Sequence, residues 1–80
     1  MTKTDIQRQL TTVFRDVFDD PRLELNDSTT AQDVENWDSI THVDLIGAVE
    51  KSFGIRFTVK DIRGLTNVGD FIRLIASLVK

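Results

Sequence analysis

Apolar residues near the start of the chain recur at helical spacing: Ile6, Leu10, Val13, Phe14, Val17 and Phe18 share one face. This predicts an amphipathic helix from Lys3 to about Phe18. Asp19-Asp20-Pro21 ends it, because proline disfavours helix at the residue before it. Over residues 19–38 the period is lost. Leu23, Leu25, Val34 and Trp37 stand irregularly among polar residues, which predicts a long loop pinned to the core by those side chains. One short helical turn is expected near Thr30 to Val34. So long a connection is uncommon in a compact domain and points to a functional role. The period returns over Ser39 to Phe53, with Asp38 or Ser39 as N-cap and Gly54 placed for a left-handed C-cap. Ile55 to Thr58 is too short to be read as a strand. Val59 to Arg63 reads as one helical turn stopped by Gly64. Thr66 or Asn67 then caps a last helix through about Val79, apolar at Val68, Phe71, Ile72, Ile75 and Val79. The expected fold is all-α: a bundle of three main helices plus one short helix, with a long loop between the first and second.

The second helix carries two apolar faces. With Ser39 at zero and about 100° per residue, Leu45, Ile46, Val49 and Phe53 fall between about 240° and 340°, the core stripe. Ile40, Val43 and Gly47 fall between about 40° and 100°, flanked by Glu50 at about 20° and Asp44 at about 140°. This second patch has two readings. Either it packs beneath the long loop or the short helix, or it is a small docking spot with an acidic rim, apolar for affinity and charged for orientation.

Composition narrows the function classes. Eighty residues make one domain, read as spanning residues 1–80. There is no cysteine, so neither disulfides nor thiolate metal sites contribute. The formal net charge of −3 argues against a nucleic-acid partner, which needs a basic face. No apolar run is long enough to span a membrane, and the N-terminus lacks a signal-peptide pattern, so no membrane partner and a cytoplasmic location are expected. Asp19, Asp20, Glu24, Asp27, Asp33, Glu35 and Asp38 make the loop acidic, but it lacks the alternating oxygen ligands and central glycine of a calcium loop. No metal site is expected.

Ser39 has a bland role and a chemical one. As a favoured capping residue it would simply start the helix. The free N–H groups and macrodipole of a helix start also favour an anion, such as a phosphodiester on the serine hydroxyl. A hydrolase-like reading with His42 and Asp38 fails on geometry. His42 falls at about 300°, on the core side, and no nucleophile elbow or oxyanion hole is evident.

Asn36-Trp37-Asp38-Ser39-Ile40-Thr41-His42-Val43-Asp44-Leu45 resembles the phosphopantetheine attachment motif of acyl carrier proteins. The resemblance continues through Glu50, Phe53-Gly54-Ile55, Phe57 and Gly64-Leu65-Thr66-Asn67-Val68, and so covers nearly the whole chain. It implies that Ser39 bears 4'-phosphopantetheine transferred from coenzyme A, with Asp38 as a recognition neighbour. It implies a non-catalytic carrier whose arm holds an acyl group as a thioester. Ile40, Val43, Asp44, Gly47 and Glu50 match positions that face partner enzymes. Ile46, Phe57, Val59, Ile62 and Leu65 stand where acyl cargo would enter between helices. The partners implied are a phosphopantetheinyl transferase, an acyl-loading ligase or acyltransferase, and a ketosynthase or other acyl-transferring enzyme, acting on a monomer. The initial Met and an end just after the last helix point to a stand-alone carrier. Many fatty-acid carriers have a large apolar residue in place of Gly47 and more acid on the second helix than a chain with Thr41 and Lys51. Arg56, Lys60 and Arg63 add positive charge nearby. These departures suggest a dedicated lipid or polyketide pathway. An aminoacyl or peptidyl carrier stays open as an alternative, although the Gly-Gly-x-Ser motif usual there is absent. An unmodified helical interaction module is the rival of a different class.

Overall fold

The computed structural model describes residues 2–79 and contains four helices: α1 (Lys3–Val17), α2 (Ser39–Phe53), α3 (Val59–Arg63) and α4 (Val68–Leu78). The all-α arrangement of three longer helices and one short one agrees with the sequence pattern. Local chemistry sets the boundaries. Thr2 caps α1, accepting from the Asp5 N–H at 3.1 Å, while the Asp5 carboxylate accepts from the Thr2 N–H. Thr58 and Asp61 form the same reciprocal pair at α3. Of the two candidates before α4, Asn67 is the cap, and Thr66 instead bonds the Asp70 carboxylate. α1 ends one residue earlier than expected. Phe18 is its C-cap, and Asp19 turns the chain away at φ 50°, before Pro21 is reached.

α1 packs on α2 and α4. Ile6, Leu10 and Phe14 of α1, Leu45 and Val49 of α2, and Val68, Phe71 and Ile75 of α4 are almost wholly enclosed. Full burial of such side chains stabilises by about 1.5–3 kcal/mol each. Phe14 meets Phe71 edge-on with centroids 6.0 Å apart. Val79 is half-buried in extended backbone as the C-cap of α4, one residue beyond the helix.

The long loop is held at both of its halves. The Arg15 Nε–H donates to the Leu23 carbonyl at 2.7 Å, and the Gln7 amide donates to the Leu25 carbonyl at 3.1 Å. Lys3 pairs with Asp27 at 2.7 Å. The Val68 and Gly69 N–H groups, otherwise unpaired at the start of α4, donate to the Thr29 and Asp27 carbonyls at 2.9 Å each. Leu25, Val34 and Trp37 are buried, and Leu23 is half-buried. The short turn expected near Thr30 to Val34 is present as one hydrogen-bonded turn. The Asp33 N–H reaches the Thr30 carbonyl at 2.9 Å, but Asn36, at φ 71°, redirects the chain before a helix can propagate.

Gly54 ends α2 in the left-handed conformation at φ 65°, a position that suits glycine. Gly47 has no such reason: it lies inside α2, and a Cβ there would meet nothing within 4 Å. Glycine in a helix interior costs about 0.5–1 kcal/mol relative to alanine. Gly47→Ala is therefore expected to raise stability by that much, read as a higher urea midpoint at unchanged slope.

Candidate functional site

The site is built where the long loop enters α2. Asn36 takes its left-handed turn and Trp37 drops into the core. Asp38 then caps the helix, one carboxylate oxygen accepting from the Ile40 and Thr41 N–H groups at 2.9 and 3.0 Å. Thr41 completes a reciprocal box. Its hydroxyl accepts from the Asp38 N–H at 2.8 Å and donates to the Asn36 carbonyl at 2.6 Å. Those N–H donors hold the Asp38 carboxyl below the usual carboxylate range. Because Asp38 does the capping, the Ser39 hydroxyl is not needed for it. Ser39 is exposed as the first residue of α2.

Trp37 anchors this end. Only 8% exposed, it meets Phe14 edge-on at 5.2 Å and lies nearly parallel to the His42 ring, with centroids 6.0 Å apart and 18° between planes. Its indole N–H donates to His42 Nδ1 at 3.0 Å. His42 is therefore neutral with its proton on Nε2, and its Nδ1 serves Trp37 rather than a nucleophile. Burial pushes the His42 pKa below its ordinary 6.5. The unfolded chain thus binds this proton more readily than the folded one. The stability His42 contributes is full above pH 6.5 and is lost as pH falls below that value and through the lower folded pKa. Thermal midpoints taken from about pH 7 down to about pH 5 should fall for the wild type. The fall should be shallower for His42→Gln, which keeps a polar group but does not titrate.

The second apolar patch of α2 does not pack beneath the loop. Ile40 and Val43 are 76% and 70% exposed, and Asp44 and Gly47 are exposed beside them. Glu50 is half-buried and differently engaged: its carboxylate accepts from the Phe57 N–H at 2.8 Å, which ties the turn after α2 to the helix. Among the residues marked for cargo, Ile46 is in the core, and Phe57, Ile62 and Leu65 pack half-buried against it. Val59 stands apart. As the first residue of α3 it is 66% exposed, so in this arrangement it lines no interior space.

Sequence reasoning missed the Trp37–His42 pair and the roles of Thr41 and Glu50. The Asp38-x-x-Thr41 spacing carried the signal for the capping box. Nothing local signalled the other two. Among the described residues no group of three or more His, Asp or Glu side chains is placed to hold a metal ion, and no helix is long and apolar enough to cross a membrane.

Phosphopantetheine suits this end of α2. An exposed serine hydroxyl, free of the capping role, projects at a helix start whose dipole favours a phosphodiester. Comparison with known proteins agrees. The family model described as phosphopantetheine attachment site matches residues 8–75. No curated protein matches the chain. The chain is similar to a holo acyl carrier protein from Geobacter metallireducens, solved by solution NMR. The two are 38% identical with a TM-score of 0.84, over 89% of this chain and 82% of that one. With most of its length matched by that family model and its four helices arranged as in that carrier, the chain belongs to the acyl carrier protein family.

Proposed function

We propose that Ser39 is the attachment residue, that its 4'-phosphopantetheine comes from coenzyme A, and that the chain presents acyl intermediates to enzymes of a dedicated lipid or polyketide pathway. The observation that carries this reading is the exposed Ser39 at the start of α2, relieved of capping by Asp38 and followed by the outward-facing Ile40 and Val43. The group's terminal thiol supplies the thioester chemistry. The chain's own residues supply position. Asp38 and Thr41 fix the first turn of α2, and Trp37 and His42 lock that turn to the core. Ile40, Val43 and Asp44 offer the partner a surface next to the reacting arm. The chain itself does no catalysis in this reading. Ile46, Phe57, Ile62 and Leu65 are the side chains that would part to admit cargo.

The dedicated pathway is inferred from the open position at Gly47 and from the cations Lys51, Arg56, Lys60 and Arg63 near α2. Uptake of one phosphopantetheine at Ser39 from coenzyme A tests the attachment. Transfer of malonyl groups by a housekeeping malonyl transferase tests the pathway. Slow transfer relative to that enzyme's own carrier is expected, and equal efficiency would overturn the dedicated role.

A further inference from the structure

Gly47 sits in a helix interior where glycine weakens the helix, yet neither backbone conformation nor packing requires it. What its missing side chain provides is room. The space beside it is an open groove of about 460 Å³ lined by Gly47, Glu50, Lys51, Ile55 and Arg56. It continues the exposed face that begins at Ile40 and Val43.

The charge at this groove runs against that of the molecule. The chain carries a net charge of −3, but the groove's own lining holds two cations, Lys51 and Arg56, against one carboxylate, Glu50, and Lys60, Asp61 and Arg63 follow in the sequence. Asp61 is engaged in capping α3, and Glu50 in the Phe57 N–H bond. Lys51 and Arg56 are exposed and, among the described residues, form no ion pair. Asp44, one turn before Gly47 in α2, is a further carboxylate on this face.

We infer that this groove seats an acidic protein surface: a bulky apolar side chain of the partner enzyme enters beside Gly47, and carboxylates flanking it pair with Lys51 and Arg56. The inference rests on the reading of α2 as the partner-facing helix and adds the chemistry of the partner. An anionic membrane would satisfy the two cations but gives no use for the space at Gly47. The notch and the charge together fit a folded partner with one apolar knob in an acidic setting.

The test is an amide chemical-shift titration of the full-length, phosphopantetheine-bearing protein with three probes. These are a capped Glu-Glu-Leu-Glu-Glu peptide, its Lys-Lys-Leu-Lys-Lys counterpart, and phosphatidylglycerol vesicles. The acidic peptide should shift Gly47, Lys51, Ile55 and Arg56 saturably, and the basic one should not. Arg56→Glu should weaken acidic-peptide binding about tenfold or more. Gly47→Met, which fills open space without disturbing the helix, should do likewise while leaving the remaining amide pattern in place. Absent or scattered shifts with the acidic peptide, or binding to vesicles alone, would overturn the inference. Uptake of the prosthetic group by the wild type is followed in parallel by mass. A chain that is not modified sinks the carrier reading, whereas a modified chain that ignores the acidic peptide sinks only this inference.

Discussion

Trp37→Ala is expected to destabilise the protein by about 3–5 kcal/mol, the cost of truncating a large buried aromatic side chain. The whole stability of a chain this size is of order 0.05–0.15 kcal/mol per residue, so the variant should sit close to its unfolding transition. The packing explains the size of the effect. Trp37 contacts Phe14 and Phe18 of the first helix and its cap, His42 of the second and Phe71 of the fourth, so one deletion loosens three helices at once. It also leaves His42 Nδ1 without its donor and opens the imidazole to water. In a variant that still folds at low temperature, the His42 titration followed by NMR should move up toward 6.5, its ordinary value. Trp37→Phe keeps most of the apolar area and loses the indole N–H, so it should cost much less. Equal losses in the two variants would mean that the hydrogen bond, not the packing, holds the loop.

The second large effect is expected at Glu50. Its carboxylate is the acceptor for the part-buried Phe57 N–H. Glu50→Ala leaves that donor without a partner, which costs about 1–3 kcal/mol. Glu50→Gln retains a carbonyl oxygen of the same reach and should keep most of the stability. Hydrogen exchange at Phe57 reads the difference directly, fast in the alanine variant and protected in the glutamine one. If Glu50 acted only as a surface charge, both variants would leave folding untouched.

These two residues also mark the boundary of what sequence can reveal. The four helices were legible because their signals are local. Thr2 and Asp5, Thr58 and Asp61, and Asn67 and Asp70 each lie three apart and close a cap on themselves, and Gly54 ends a helix by its own backbone freedom. The outward face of α2 was visible in the helical wheel, but its fate was not. Whether Ile40 and Val43 pack beneath the loop depends on where the loop goes, and no period describes the loop. The Thr30 turn shows how far a local signal reaches. Thr30 and Asp33 make the cap-like bond from the Thr30 N–H to the Asp33 carboxylate at 3.0 Å, yet no helix follows. The burial of Val34 and Trp37 and the left-handed Asn36 draw the chain inward instead. The Trp37–His42 and Glu50–Phe57 bonds join a loop to a helix across a turn, so only the folded chain brings their partners together.

Everything proposed for this chain turns on Ser39 as the residue that carries the prosthetic arm. The most direct test of that role is the intact mass of the folded protein after incubation with coenzyme A and a broad-specificity phosphopantetheinyl transferase, beside Ser39→Ala treated the same way. The wild type should gain one phosphopantetheine and the variant none. No gain with several transferases, or a gain that persists in Ser39→Ala, would contradict it.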